Sequence, residues 1–167
     1  MHENEAPVYA ALAALHIPYE RYAHPAAMTM RDCAEYDIDR GATHFKNLFL
    51  CNRQGTVFYL LMLVGDKLFK TKDVSNQLGV SRLSFASADQ LQEELGLTPG
   101  AVTPLGLIND HDASVHVLLD RDIASWEKAV VHPNVNTASI VLKTSDLLAF
   151  LAARKNPLTY VEIAADT

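Results

Sequence analysis

Two apolar runs joined by a short polar turn constrain the fold of this chain more than any other feature. "HFKNLFLCN", residues 44 to 52, runs through "NRQG" into "TVFYLLMLV", residues 56 to 64. The turn is of the kind that closes a β-hairpin. Both runs are apolar at odd and at even positions, so each buries two faces and belongs at the centre of a sheet covered by helices. Lys46 breaks the pattern. A buried ammonium is costly unless something pairs with it. Lys46 therefore either snorkels to the surface or points into a cavity where a positive charge has a use.

The rest of the chain supplies elements to surround that hairpin. Helical spacing and end signals occur near 5–16, 29–36, 71–79, 88–95 and 144–154, with Pro7 suited to a first turn and Gly79 and Gly96 to stops. Further strand signals are "IPYERYA", "SVHVLLD", "KAVVH" and "ASIVLK". Strands and helices interleave without a strict βαβ rhythm. The expectation is an α+β (mixed α/β) fold, a single domain over residues 1–167 with a mixed central sheet flanked by helices.

No apolar run approaches the roughly 20 residues that span a bilayer. "MHENEAPVYAALAALHIPYE" lacks the basic-then-apolar layout of a signal peptide. Cys33 and Cys51 form no CxxC pair, which fits a reducing compartment and argues against a zinc site. These features predict a cytoplasmic protein with neither membrane partner nor metal.

The net charge of −6 disfavours a nucleic-acid partner at first sight, but its distribution is uneven. Residues 40–82 carry seven basic side chains, among them Lys67, Lys70 and Lys72, against two acidic ones. A local basic face can bind phosphate on an acidic molecule. A solvated surface whose charges cluster in sequence is the alternative.

Two further segments depart from core patterning. In "LGLTPGAVTPLGLIND", residues 95 to 110, glycines and prolines exclude regular helix or strand. Such a loop can bring its backbone close to a ligand, or simply connect a helix to a strand. In "VHPNVNTASIVLK", Pro133 holds His132 in an extended or turn conformation, and Asn134, Asn136, Thr137 and Ser139 crowd the entrance of an apolar strand. A lone histidine satisfies a local hydrogen bond more often than it performs chemistry. Nucleotide-binding glycine motifs, nucleophile elbows and metalloprotease helices are absent from the sequence.

Taken together, "THFKNLFL", "GAVTP" and "HPNVNTAS" resemble the YbaK/ProX family of trans-editing aminoacyl-tRNA deacylases, which is related to the editing insertion of bacterial prolyl-tRNA synthetases. The likeness runs from about residue 8 to residue 155 and is nearest to the ProXp-ala/PrdX-type branch in "KNLFL", "GLIND" and "VLLD". One departure is "SRL", where relatives tend to have glycine before the arginine.

The resemblance implies a cofactor-free hydrolase that removes mischarged amino acids from tRNA, with Ala-tRNA(Pro) the expected substrate and prolyl-tRNA synthetase a conceivable partner. It assigns Lys46 and His132 as catalytic. Gly100, Ala101, Val102, Thr103 and Pro104 would line the aminoacyl pocket with Asn136 and Asn47. Asn47 ranks lower, because adjacent strand residues face opposite ways. Lys67, Lys70 and Lys72 would contact acceptor-stem phosphates, and no DNA partner is expected. Rival readings are a deacylase for seryl-, threonyl- or cysteinyl-tRNA and a non-catalytic RNA- or protein-binding module of the same fold.

Overall fold

The computed structural model describes residues 3–25, 43–65 and 67–163. The two apolar runs form strands β2 (Thr43–Cys51) and β3 (Phe58–Val64), antiparallel in unbroken register from Phe45↔Val64 to Cys51↔Phe58. Asn52 organises the turn: its side-chain oxygen accepts from Thr56 N–H at 2.8 Å and Val57 N–H at 3.2 Å, and Gly55 takes a φ of +68°.

The remaining strands are β1 (Glu20–Ala23), β4 (Ser84–Phe85), β5 (His116–Asp120), β6 (Lys128–Val131), β7 (Ala138–Lys143) and β8 (Leu158–Val161). Among the described residues they join one sheet in the order β1-β7-β6-β2-β3-β5-β8, with β4 on β2. The β2/β6, β3/β5 and β5/β8 pairs are parallel and the others antiparallel, so the sheet is mixed. The hairpin lies at its centre, as its two-faced apolarity requires.

Period-two alternation divides the hairpin between two cores. Phe45, Phe49, Cys51, Phe58, Leu60 and Met62 pack on one side. Helices α1 (Ala6–Ala14), α3 (Ala88–Leu95) and α4 (Thr144–Arg154) cover that side through Val8, Leu12, Leu91, Leu95, Leu147, Phe150 and Leu151. On the other side Leu50, Tyr59, Leu61 and Leu63 meet Val74 of α2 (Thr71–Leu78) and Leu83. Ser87 caps α3 by accepting from Gln90 N–H at 3.1 Å, while the Gln90 side chain accepts from Ser87 N–H, a complete capping box.

Two details differ from the sequence expectation. The glycine- and proline-rich stretch contains a 3-10 helix, Pro104–Asn109, begun by Thr103 accepting from Leu105 N–H. Gly106 is required there, since a Cβ would stand 2.6 Å from Leu97 Cδ1. β4 and β8 carry no strong apolar alternation, and their neighbours rather than their own residues make them strands. The helix expected near 29–36 lies outside the described residues.

Candidate active site

β2 is paired unevenly along one edge. Thr43 and His44 pair with β6, and Leu50 and Cys51 pair with β4. The Phe49 carbonyl also accepts from Ala86 N–H at 2.9 Å. Between these stretches, among the described residues, no strand borders Lys46 to Leu48 on that side. Because Phe49 points its carbonyl at this edge, the same alternation turns the main-chain N–H and C=O of Asn47 towards the gap.

A cavity of about 200 Å³ opens at the gap, lined by Asn47, Leu48, Phe49, Phe85, Pro99, Gly100 and Val102 among others. The Asn47 side-chain oxygen is buried there without a hydrogen-bond partner. The side-chain oxygens of Asn134, Thr144 and Asn156 share that state among the described residues, but only the Asn47 oxygen lies on a residue lining this cavity, where water or a ligand can supply the missing bond. Gly100, with φ +83°, lets the loop double back close to the strand. Ala101, Thr103 and Pro104 are buried behind it, while Val102 is half-buried at the wall.

Lys46 takes the opposite face of β2, across from Leu63. Its ammonium donates to the Lys67 carbonyl at 2.7 Å. Lys46 and Asn47 thus flank one strand, and among the described residues its edge between β6 and β4 is open beside both. The hairpin register alone would have kept them apart.

His132 follows β6, and its Nδ1 lies 3.2 Å from the Ala138 carbonyl. The Thr103 hydroxyl donates to the His132 carbonyl at 2.6 Å, tying the histidine turn to the Gly100–Pro104 loop. Asn134 holds the turn in a left-handed conformation, φ +63°, which asparagine tolerates. Burial lowers the His132 pKa, the facing His24 adds to the effect, and the Ala138 hydrogen bond opposes it. The imidazole is therefore neutral at pH 7. His24, whose Nε2 lies 2.8 Å from Ser139 Oγ, has its ring 6.4 Å from that of His132, a neighbour that no spacing in the chain singles out. Asn136 is half-buried in the same turn.

The structure corrects the expectation for Lys67. It is 4% exposed, and its ammonium is held by Asp120 at 3.0 Å and Asp122 at 2.6 Å. Burial works against its charge, but the hydrogen bonds to Asp122 and Asp120 outweigh burial and raise its pKa. An ammonium so engaged does not meet a phosphate. Lys70 and Lys72 are exposed at the start of α2. Lys72 lines a groove of about 610 Å³ with Thr71, Ser75, Asn76 and Arg82, so Arg82 joins Lys72 as a basic group on that face. Among the described residues, no group of three His, Cys, Asp or Glu side chains could hold a metal ion.

A family model described as an aminoacyl-tRNA editing domain matches residues 24–150. The chain belongs to that family. It is therefore an aminoacyl-tRNA deacylase, a carboxylic ester hydrolase. This editing domain is 36% identical over 156 residues to the prolyl-tRNA editing protein ProX of Acetoanaerobium sticklandii, covering 93% of this chain and 95% of that protein. It is 32% identical to the prolyl-tRNA synthetase associated domain-containing protein 1 of Bos taurus, with 89% of each covered. A crystal structure described as a candidate trans-editing enzyme for prolyl tRNA synthetase superposes with a TM-score of 0.74 over 99% of each chain at 18% identity, which establishes the shared fold. No described helix of the editing domain is long and apolar enough to cross a membrane.

Proposed function

We propose that this editing domain removes alanine from mischarged tRNA(Pro). The observation that carries the reading is the orphaned Asn47 amide in a cavity of about 200 Å³ at the open edge of β2. The likeness to ProX points to a proline-system substrate. In this reading the Gly100–Pro104 loop limits the pocket so that a methyl side chain enters and a pyrrolidine ring is excluded. Such exclusion is what a synthetase pocket shaped for proline lacks, because a missing methylene is worth only about 1–3 kcal/mol of discrimination.

In this reading the Asn47 amide and the main-chain groups at the gap orient the aminoacyl ester. Water adds to the ester carbonyl carbon, and the bond from that carbon to the ribose oxygen breaks. Alanine leaves as the acid, and the ribose hydroxyl recovers the proton. The neighbouring ribose hydroxyl, rather than a protein base, helps to activate the water. Lys46, on the other face, anchors the sugar-phosphate and balances its charge. His132, bonded through its carbonyl to Thr103, shapes the loop wall together with Asn136. Lys70, Lys72 and Arg82 meet acceptor-stem phosphates, and the whole chain acts as one domain in the cytoplasm, where a prolyl-tRNA synthetase supplies mischarged tRNA.

The test is deacylation of alanyl-tRNA(Pro) by the wild type and Lys46→Ala, with prolyl-tRNA(Pro) as control. Alanine release that is lost in the variant, with prolyl-tRNA spared, supports the reading. Release confined to seryl-, threonyl- or cysteinyl-tRNA reassigns the amino acid. Release that survives Lys46→Ala removes the lysine from the site.

A further inference from the structure

The aminoacyl cavity has an aromatic wall that the chemistry of ester hydrolysis does not use. Phe85, on the two-residue strand β4, lines the cavity together with Gly100 and Val102. It is nevertheless 63% exposed, the most exposed of the large apolar side chains among the described residues. Its partner across the strand is Leu50, so it projects on the Lys46 face of β2. Phe69 meets it edge-on, with ring centroids 5.6 Å apart and planes at 69°. Thr71 and Ser75 fix the approach to β4, donating to the Leu83 carbonyl at 2.6 Å and accepting from Leu83 N–H at 3.1 Å respectively.

We propose that Phe85 is the stacking platform for the terminal adenine base of the tRNA. This inference rests on the reading of the ligand as an aminoacyl-tRNA and adds the residue that holds its nucleobase. An edge-on neighbour sets the tilt of the Phe85 ring while leaving a face open, which is what a base requires. In an aminoacyl-tRNA the base stands one ribose away from the ester, and Phe85 lines the same cavity as the Gly100–Pro104 loop that receives the amino acid. Lys46 lies on the same face of β2 as Leu50, the partner of Phe85, and the exposed Lys70 follows directly on Phe69 in the chain. Every tRNA ends in the same adenosine, so no hydrogen-bonding readout of the base is needed. Stacking, which is tolerant of base identity, suffices.

The experiment compares wild type, Phe85→Ala and Phe85→Trp. The exposed position makes each variant expected to fold, which thermal melting checks. Binding of the RNA trinucleotide CCA is measured against the same trinucleotide with an abasic 3′ residue, alongside steady-state deacylation of alanyl-tRNA(Pro). Phe85→Ala should weaken CCA binding and raise KM about tenfold or more, with kcat within about twofold. Phe85→Trp should restore both, and its indole fluorescence should be quenched by CCA and not by the abasic form. Equal affinity of wild type for the two trinucleotides, or an unchanged KM in Phe85→Ala, overturns the proposal and assigns the exposed ring to another partner. If the wild type deacylates no mischarged tRNA, the proposed function fails while CCA binding and indole quenching still decide the role of Phe85.

Discussion

The Lys46 ammonium lies 2.7 Å from the carbonyl oxygen of Lys67, whose own ammonium is clamped between Asp120 and Asp122. The accessible lysine is thus oriented by the backbone of a buried one. Asp120 also accepts from Val64 N–H at 3.0 Å, which fixes the end of β3 beside the pair.

The two carboxylates of this clamp should contribute unequally. Asp120 is buried and Asp122 side chain is 67% exposed. Asp120→Asn leaves the buried ammonium only the exposed Asp122 and should cost up to about 3 kcal/mol, whereas Asp122→Asn should cost less than about 1 kcal/mol because water screens that half of the pair. Urea denaturation reads both, and equal losses would contradict the assignment. Lys67 has a raised pKa, so its contribution is complete below the ordinary lysine range and disappears as pH rises through the raised value.

Asn47 should behave in the opposite sense. Its side-chain oxygen is buried without a partner, so Asn47→Ala removes a desolvated polar group and should leave stability unchanged or raised by about 1 kcal/mol. Deacylation should nevertheless fall at least about tenfold, since one orienting hydrogen bond to the reacting ester is lost. A variant that loses stability and keeps its activity would show that the amide is structural.

Thr103→Val tests the link between the two loops. The hydroxyl donates to the His132 carbonyl at 2.6 Å and accepts from Leu105 N–H at 3.3 Å. Valine removes both of these hydrogen bonds in a buried site, at a cost of about 1–3 kcal/mol. Chemical denaturation measures that cost, while Thr103→Ser, which keeps the hydroxyl, should recover most of it.

His132 should give the fold an acid-side slope. Its pKa is lowered, first by burial and then by His24, so the unfolded chain binds the proton more readily than the folded one. The stabilising contribution is complete above the ordinary histidine range, about pH 6.5, and is lost as pH falls through the lowered value. Urea midpoints recorded between about pH 7.5 and pH 5 should decline for the wild type and decline less for His132→Gln.

The central hairpin was legible because its apolar residues occupy both parities and Asn52 to Gly55 can form only a tight connection. Helix α3 is legible by its capping box, its Gly96 stop and its spacing, α2 by its spacing and Gly79, and α4 by its spacing alone. β4 was not legible, since two residues carry no period, and its status derives from Leu50 and Cys51 across the sheet. Lys67 misled for a related reason: its carboxylates are 53 and 55 residues away, and a basic run in sequence does not say which ammonium finds an internal partner. Asn47 was ranked low because a regular strand separates it from Lys46. That argument holds for the side chains, but it cannot register an interrupted strand edge, which depends on where β6 stops and β4 starts.

An unpaired strand edge ordinarily invites another chain, and proteins with long open edges tend to aggregate. Among the described residues, the unpaired stretch of β2 spans Lys46 to Leu48 and is stoppered at both ends, by β6 and by β4. A strand from a neighbouring molecule would collide with those stoppers before it could form a ladder. The same shortness that keeps foreign polypeptide out leaves room for something no larger than a nucleoside and its ester, so the protection of the sheet and the selection of the ligand come from one dimension of the fold.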